Sequence, residues 1–346
     1  MNESFEDIVS QYDYDLLDSY IAQAPSSPRD SARVLVYNRQ TKQTTIDTFS
    51  QLVRYLPERA VLVFNETKVL PARLYVQKET GGVVELLYIK TIEPYILVLT
   101  NKNLFVGQVL YIEGIATFTV IQKLEKGYLL SSSFSLKKLL RYLELYGETP
   151  IPPYIKNTPL SESDLKQHYQ TVFAKEYGSA AAPTASLHFT EKLLKKIKDS
   201  GRDVRFVTLH VGLGTFAPLT EEQCQKERLH SECYVISSDT AAFLNTAKKE
   251  GRPIIAVGTT VVRTLESAAD IKGVLMSLTG ETTLFIKSGY VFRYVDGMIT
   301  NFHVPRSSLL MLVAAFIGRE KLLTLYEYAK KNNFRFFSFG DGMFLY

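Results

Sequence analysis

The sequence TEKLLKKIKDSG (190–201), followed by VRFVTLHV (204–211), contains the pattern that decides the fold. The first segment predicts an amphipathic helix with an N-cap threonine and a terminal glycine, and the second predicts a strand. The pattern then repeats, with a predicted helix near 240–250, the strand PIIAVG (253–258) and the helix VVRTLESAA (261–269). Strands that alternate with helices are typical of an α/β domain with a mixed or largely parallel sheet.

Upstream of this region, short apolar strands predict a second kind of structure. They read ARLYV, VVELLYI, YILVLT, QVLYIEG, ATFTVIQ and GYLLSSSF, and they lie between Arg73 and about Ser133. Turn-forming segments such as ETGG separate them, and evenly spaced strands of this kind predict a small antiparallel barrel.

The barrel is predicted to be an insertion in the α/β domain. The strand-like segments RVLVYNR (33–39) and AVLVFNETKV (60–69) precede it, and the helix-like SLKKLLRYLELYG and the proline-rich ETPIPPYI follow it. We therefore expect an α/β domain with a mixed sheet and helices, formed by residues 1–70 and 150–346. An all-β small barrel domain, residues 71–149, is expected to be inserted into it.

Composition and charge exclude several classes of protein. The 346 residues are 46% hydrophobic and carry a net charge of +4, which allows a nucleic-acid partner without requiring one. The cysteines, Cys224 and Cys233, are too few for a disulfide framework or a four-thiolate zinc site. The acidic N-terminus does not fit a signal peptide, and the apolar runs fall far short of the roughly 20 residues of a membrane span. We therefore expect a cytoplasmic protein.

Charge is unevenly distributed along the chain. Residues 1–20 contain six acids and no Lys or Arg, whereas residues 287–335 contain eight Lys or Arg and three acids. This asymmetry indicates either a basic face near the C-terminus or an ordinary solvated helix surface.

A glycine-rich segment, GLGTFA (212–217), follows a predicted strand and matches a dinucleotide-binding pattern. That motif has to lead directly into a helix, and here Pro218 interrupts it. We instead expect a tight loop whose backbone approaches a different ligand, with His210 beside it.

The segment GTTVVR (258–263) joins a buried strand to the start of a helix. Unpaired N–H groups and the helix dipole at such a point favour an anion, so a carboxylate or a phosphate could bind there, with Arg263 one turn into the helix. The alternative is an ordinary threonine cap followed by a surface arginine.

The histidines show no metal-ligand spacing, so we expect no metal site. His188, His210, His230 and His303 lie in predicted loops or at strand ends beside small or polar residues. Such positions allow proton transfer or ligand contact, although a packing role is the alternative for each.

The aromatic and basic segment FRFFSFGDGM (334–343) has two interpretations. It could stack on RNA bases with Arg335 on a phosphate. The favoured interpretation is a buried final strand, with Gly340 and Asp341 forming an exposed turn.

Eight segments, in order along nearly the whole chain, resemble the S-adenosylmethionine:tRNA ribosyltransferase-isomerase family of the queuosine pathway. They are IAQAPSSPRDSARVLV (21–36), LVFNETKVLPARL (62–74), TVFAKEYGSAAAPTASLHFT (171–190), VTLHVGLGTFAPL (207–219), LHSECY (229–234), IIAVGTTVVRTLES (254–267), VDGMITNFHVPRSSLLMLVAAFIG (295–318) and FRFFSFGDGM (334–343). The sequence departs from the usual family pattern at Ala32, Cys233 and Val261, among others, where Ser, Trp and Ser are common.

The resemblance implies an α/β domain with an inserted barrel and an unusual use of S-adenosylmethionine. The ribosyl unit is transferred to 7-aminomethyl-7-deazaguanine at the wobble position of tRNA and isomerised, which gives epoxyqueuosine, adenine and methionine. The implied partners are S-adenosylmethionine and the anticodon arm of tRNA. We expect no cofactor beyond this co-substrate, no membrane association and a monomer.

Such chemistry requires a base for the amine or the C5′ carbon, an acid for the departing adenine, and both substrates held in line. We assign proton transfer to a subset of His188, His210, Glu232 and His303. The predicted substrate-binding residues are Arg29, Asp30, Arg33, Gly212, Gly214, Thr215, Gly258, Thr259, Thr260, Arg263 and Asn301.

Two other classes of function stay open at this point. A methyltransferase with the same donor would yield S-adenosylhomocysteine, but it would normally have a glycine-rich loop that runs straight into a helix. A non-catalytic RNA-binding module would bind tRNA and consume no donor, and it would leave the polar residues of 171–190 and 295–308 without a role.

Overall fold

The computed structural model describes residues 4–212, 218–276 and 278–346. Within these ranges the chain forms a nine-stranded sheet, a closed six-stranded barrel and a two-stranded sheet. The strands are β1 (Arg33–Tyr37), β2 (Thr44–Thr48), β3 (Val61–Asn65), β4 (Thr67–Val69), β5 (Arg73–Lys78), β6 (Val83–Ile92), β7 (Tyr95–Leu99), β8 (Val109–Ile112), β9 (Ala116–Lys123), β10 (Tyr128–Ser132), β11 (Glu176–Ser179), β12 (Asp203–Leu209), β13 (Arg228–Val235), β14 (Ile254–Val257), β15 (Thr279–Leu284), β16 (Gly297–Asn301) and β17 (Gly342–Leu345).

The described residues also form nine α-helices, and from residue 191 onwards helices and strands largely alternate. They are α1 (Phe5–Ser10), α2 (Leu136–Tyr146), α3 (Glu162–His168), α4 (Glu191–Asp199), α5 (Glu221–Lys226), α6 (Ser238–Lys249), α7 (Thr259–Ala268), α8 (Ser308–Ile317) and α9 (Arg319–Lys331). None of the helices in the described ranges combines the length and the apolar character that a membrane span requires.

The nine-stranded sheet has the order β15-β13-β12-β3-β14-β16-β17-β1-β2. Its centre is parallel, because β12, β3, β14 and β16 run in the same direction, with Val61 opposite both Asp203 and Ile254. The neighbours β13 and β17 run antiparallel to this centre. The carboxyl ends of the parallel strands therefore meet at one edge of the sheet, which is where open α/β sheets bind ligands.

Helices cover both faces of this sheet. On β3, Val61 and Val63 pack into one core, with side chains of α7 and α8, whereas Leu62 and Phe64 pack into the other, with side chains of α4. Alternate residues of a strand point to opposite faces, so a continuous apolar run is what a strand buried on both faces requires.

The barrel is a separate all-β unit. Its order is β10-β7-β6-β5-β8-β9, and its hydrogen-bonded pairs are antiparallel. Leu86, Val98, Phe118 and Leu130 are fully buried in its core, and α2 packs Leu143 into the same cluster. The predicted fold class, a mixed α/β sheet with helices and a small β-barrel, is therefore confirmed.

The chain enters and leaves the barrel side by side. Arg73 N donates to Glu148 O at 3.2 Å, and Glu148 N donates to Arg73 O at 2.9 Å. A side chain on Gly147 would overlap the carbonyl oxygen of Pro71, so only glycine fits beside this crossing. The barrel strands lie between Arg73 and Ser132, within the predicted insert, and the exact division into domains stays a prediction.

The acidic N-terminus lies against the basic C-terminal region. Arg306 forms ion pairs with Glu6 and with Asp13, the latter at 3.9 Å. Lys330 Nζ donates to the carbonyl oxygen of Asp15 at 2.7 Å. Part of the positive charge counted near the C-terminus is thus neutralised within the chain.

The prediction of an exposed turn near the C-terminus was wrong. The final strand β17 begins only at Gly342, and Asp341 is 2% exposed, with Gly340 buried beside it. The Asp341 carboxylate accepts hydrogen bonds from Arg33 N at 2.9 Å and from Arg335 N at 2.8 Å. A carboxylate can be buried when backbone N–H groups hold it in this way, and the sequence pattern carries no sign of such partners.

Candidate active site

A cavity lies at the edge where the parallel strands end. Among the residues that the structure describes, its walls are formed by 181–185, 258–260 and 300–304, together with Tyr154, Val211, Leu309, Phe337 and Ser338. These segments follow β11, β14 and β16, so the predicted turn 258–260 and Asn301 share one cavity. None of the side chains that line the cavity, within the described ranges, is an Asp, Glu, Lys or Arg.

The turn between β14 and α7 forms one wall. Gly258 has φ +98°, a conformation that other residues rarely adopt, and its N–H donates to Ile299 O at 2.8 Å. Thr259 and Thr260 then begin α7, and their backbone N–H groups lie in the first turn of the helix. The arrangement has the geometry that the sequence predicted for an anion-binding turn, and ligand binding there stays a prediction.

Asn301 and His188 form a buried pair behind the cavity surface. Asn301 Nδ2 donates to His188 Nε2 at 3.3 Å and to Phe337 O at 3.2 Å, and Asn301 Oδ1 accepts from Thr184 Oγ1 at 2.8 Å. The imidazole of His188 stacks on Phe49 with ring centroids 4.1 Å apart. His188 therefore orients the amide of Asn301, and it is Asn301 that reaches the cavity.

Burial keeps the His188 imidazole neutral. Loss of hydration, together with the positive charges of Arg335 and Arg29, lowers the pKa of His188 to about 3. A neutral ring with Nε2 as acceptor fits the hydrogen bond from the Asn301 amide.

His303 is the predicted catalytic residue that lines the cavity itself. Its Nε2 lies 2.8 Å from Thr300 Oγ1, and its backbone is fixed because His303 N donates to Tyr326 OH at 2.8 Å and His303 O accepts from Tyr14 OH. Burial lowers the pKa of His303 to about 3, so the ring is neutral at pH 7.

His210 lies directly after β12, on the side of the two-stranded sheet. Its Nδ1 is 3.1 Å from Thr67 Oγ1, which in turn is 2.8 Å from Ser179 Oγ. A side chain on Gly178 would overlap the imidazole ring, so glycine is required there. Burial lowers the pKa of His210, and the negative charge of Glu176 partly opposes this shift. The next residue, Val211, lines the cavity.

Glu232 and Arg263 form a buried ion pair next to the glycine loop. Their side chains are 4% and 7% exposed, and Arg263 also donates to the carbonyl oxygens of Leu284 at 3.1 Å and Thr282 at 3.3 Å. Glu232 Oε1 accepts from Gly212 N at 3.0 Å. The pair thus fixes the backbone of Gly212, and neither side chain lines the cavity. The predicted residues Gly214 and Thr215 lie outside the described residues.

The three predicted residues near the N-terminus hold other parts of the chain. Arg29 donates to the carbonyl oxygens of Gln167 and Gln170. Asp30 accepts from the side chain of Thr190, the N-cap of α4, at 3.1 Å. Arg33 donates to Asn332 O and lies 4.1 Å from the centre of the Phe334 ring. None of them lines the cavity, and their predicted contact with substrate has no support from these positions.

Asn65 is a site residue that the sequence prediction missed. It ends β3 and is fully buried. Its Oδ1 accepts from Leu209 N at 3.0 Å and Thr67 N at 3.1 Å, while its Nδ2 donates to Leu209 O at 3.0 Å and Thr260 Oγ1 at 3.4 Å. One amide therefore joins the ends of β3 and β12 to the first turn of α7. The sequence feature that could have identified Asn65 is its position, since it is a polar residue at the end of the apolar strand β3.

No group of His, Cys, Asp and Glu side chains within the described ranges is arranged to hold a metal ion. The chemistry that these residues offer is hydrogen bonding and proton transfer by a neutral imidazole, an amide and threonine hydroxyls.

The chain is similar to known proteins over nearly its whole length. A family model described as queuosine biosynthesis protein matches residues 9–345. A protein of Carboxydothermus hydrogenoformans, named S-adenosylmethionine:tRNA ribosyltransferase-isomerase, is 46% identical over 343 residues, which cover 97% of this chain and 99% of that protein. A protein of the same name from Staphylococcus haemolyticus is 44% identical over 342 residues, with the same coverage of 97% and 99%.

A solved structure agrees with these matches. The crystal structure of S-adenosylmethionine tRNA ribosyltransferase from Thermotoga maritima is 31% identical in sequence, with a TM-score of 0.56, and the match covers 97% of this chain and 100% of that chain. The extent of the family match and the identity to the curated relatives lead to one conclusion: the chain belongs to the queuosine biosynthesis protein family.

Proposed function

We propose that this chain is an enzyme with the activity named for its relatives, an S-adenosylmethionine:tRNA ribosyltransferase-isomerase. It transfers the ribosyl moiety of S-adenosylmethionine to the 7-aminomethyl-7-deazaguanine at the wobble position of tRNA and isomerises it to epoxyqueuosine. Adenine and methionine are released. The observation that carries this proposal is the 44–46% identity to relatives of that name over nearly their full length.

The bond changes define what the site has to do. A bond forms between the amine nitrogen and a ribosyl carbon, and the ribosyl unit rearranges with formation of the epoxide C–O bond. The bond from ribose to adenine and the bond from C5′ to sulfur break, so that the sulfonium leaves as the neutral thioether of methionine. A proton has to be removed from the amine or from the C5′ carbon, and the departing adenine has to gain one. The site therefore has to move protons and hold two substrates in line.

We assign the proton-accepting role in the cavity to His303. It lines the cavity, and Thr300 holds its Nε2 side. His188 acts as a positioning residue through Asn301, and Glu232 with Arg263 positions the backbone of Gly212. His210 is left as a second candidate for proton transfer, because it adjoins the cavity through Val211.

Substrate contacts are assigned to the backbone and hydroxyl groups of the walls. The first turn of α7, at Thr259 and Thr260, offers N–H groups to a carboxylate such as that of methionine. The cavity walls carry no Lys or Arg side chain within the described residues, so a sulfonium would meet no neighbouring cation there. Gly212, Gly214 and Thr215 are proposed to contact the same ligand.

The remaining parts of the proposal concern partners and surroundings. We propose that the substrate is the anticodon arm of tRNA, that no cofactor is used beyond S-adenosylmethionine, and that the protein acts as a monomer in the cytoplasm, away from membranes.

The test is mass spectrometry of tRNA and small molecules after incubation with S-adenosylmethionine. We expect adenine release and a mass increase of the tRNA only when the tRNA carries the deazaguanine amine, with unmodified tRNA as control. Production of S-adenosylhomocysteine would favour a methyltransferase. Binding of tRNA with no consumption of donor would favour an RNA-binding module.

A further inference from the structure

A groove between α2 and the two-stranded sheet lies outside the cavity described above. One wall is formed by α2 and the other by the residue after β4 and a residue of β11. The lining residues are Lys137, Leu140, Arg141, Glu144 and Leu145 from α2, with Leu70 and Tyr177 opposite. Residues three, four, seven and eight positions apart share one face of a helix, so α2 turns this face to the groove while Leu139 and Leu143 pack into the barrel.

The side chains that line the groove carry a net positive charge. Lys137 and Arg141 are exposed, and within the described ranges the side chain of neither forms an ion pair or hydrogen bond. They are four residues apart on a helix, where like charges repel. Glu144 lines the same groove, where its carboxylate accepts a hydrogen bond from Tyr177 OH at 2.6 Å and forms no ion pair with Arg141. The lining residues therefore carry two positive charges and one negative charge. A phosphate between Lys137 and Arg141 would relieve this repulsion.

Apolar and aromatic surface accompanies these charges. Tyr177 is 36% exposed and Leu145 is 57% exposed. Lys68 Nζ lies 4.1 Å from the centre of the Tyr177 ring, so a third cation stands at the opposite wall. An exposed aromatic ring beside cations is the combination that holds single-stranded nucleic acid, by base stacking and phosphate contact together.

The groove is close to the cavity along the chain. Tyr177 lines the groove, and Ala181, four residues later, lines the cavity. Four residues span at most ~14 Å. Between them, Ser179 O accepts from Leu70 N at 3.1 Å, which ties the wall opposite α2 to the strand that leads to the cavity.

From these contacts we propose that the groove binds the single-stranded RNA next to the base held in the cavity, with phosphates on Lys137 and Arg141. The proposal rests on the proposed function, because that function supplies RNA as the partner. In this proposal α2, which packs on the barrel, contributes part of the RNA-binding surface, and the α/β domain contributes the rest.

The test measures RNA binding directly, without the donor. A fluorescent anticodon stem-loop RNA is titrated with the full chain and with Lys137→Gln/Arg141→Gln, and the salt dependence of the dissociation constant is recorded. Each phosphate contact to single-stranded RNA contributes about 0.7 to the slope of log K against log salt. Loss of two contacts should lower the slope by about 1.4 and weaken binding about 25-fold at 0.1 M salt.

The matched control is Lys192→Gln/Lys198→Gln on α4, which removes the same charge from exposed positions on a helix that packs on β12. We expect this control to shift binding less than twofold. Tyr177→Ala should weaken binding with little change in the salt slope. Equal effects of the two double variants, wild-type affinity in Lys137→Gln/Arg141→Gln, or no RNA binding by the unchanged protein would each overturn the proposal.

Failure of the groove and failure of the proposed function give different results. A chain that binds the RNA through Lys137 and Arg141 but releases no adenine would contradict the proposed reaction and would still support RNA binding in the groove. A chain that releases adenine while the double variant binds RNA normally would contradict the groove alone, and would indicate another partner for this surface.

Discussion

The Glu232–Arg263 pair offers a direct test of two interpretations of Arg263. The structure pairs its guanidinium with a carboxylate and two carbonyl oxygens, with side-chain exposures of 7% and 4% for the pair. Arg263→Met would leave the Glu232 carboxylate buried without that guanidinium. Removing one partner of a buried ion pair costs about 3–5 kcal/mol, a large share of the 5–15 kcal/mol that stabilises a typical domain.

The double variant Glu232→Gln/Arg263→Met is the control for this loss. It removes both charges and keeps an oxygen that can accept from Gly212 N, so we expect the part of the loss that comes from the unpaired charge to return. The part that comes from the lost donors to Leu284 O and Thr282 O should remain. Urea unfolding of the three proteins, followed by circular dichroism, measures the free energies of unfolding. Michaelis constants for S-adenosylmethionine and tRNA are measured on the same proteins.

The result that would refute the reasoning is a loss below about 1 kcal/mol in Arg263→Met, the value for an exposed pair. If such a protein also showed weaker substrate binding, Arg263 would serve the anion site that the sequence suggested. A large loss of stability with a recovered double variant would place Arg263 among the residues that hold the loop.

Three further outcomes are expected. Burial lowers the pKa of His188 and His303 to about 3, below the ordinary value of 6.5. As the pH falls, both imidazoles are therefore protonated in the unfolded chain before they are protonated in the folded chain. The free energy of unfolding should be constant above about pH 6.5 and fall by about 2.7 kcal/mol per pH unit between pH 6.5 and pH 3. His188→Gln should halve this slope, as measured by urea unfolding. A free energy of unfolding that stays constant down to about pH 5 would contradict the burial of both rings. His303→Ala should lower kcat by about 10²–10⁴ while His168→Ala does not, and equal rates of adenine release in both would remove His303 from the mechanism. Asn65→Asp keeps both acceptors but loses the donor to Leu209 O, so we expect about 1–3 kcal/mol less stability and a lower kcat/KM; unchanged values of both would show that this amide does not organise the site.

Local signals made the fold largely predictable. The Thr190 cap of α4 and the Thr220–Gln223 capping box of α5 are formed as the residue types predict. The six barrel strands were recognisable because half-buried strands alternate and glycine-rich turns separate them. The strand order of the sheet was not predictable, because register depends on contacts between residues far apart in sequence.

The candidate site was predictable only in part. The turn at 258–260, Asn301 and His303 meet in one cavity because each follows or ends a neighbouring parallel strand, a relation that topology imposes. Charged residues were harder to place. Arg29 and Arg33 have the residue type of ligand-binding groups, yet each donates to carbonyl oxygens of neighbouring loops, and nothing in a single sequence separates the two uses.

The crossing at Arg73 and Glu148 has a consequence for how the fold can be taken apart. Two residues that exchange both backbone hydrogen bonds have Cα atoms about 5.5 Å apart, a gap that a tight two-residue turn can bridge. The two chain segments that connect the barrel to the rest of the protein are therefore no farther apart than the two strands of a hairpin. A variant in which Asn-Gly replaces the barrel should keep the strand order of the large sheet. A barrel joined in this way can be gained or lost in evolution without a change in the order of the strands of that sheet.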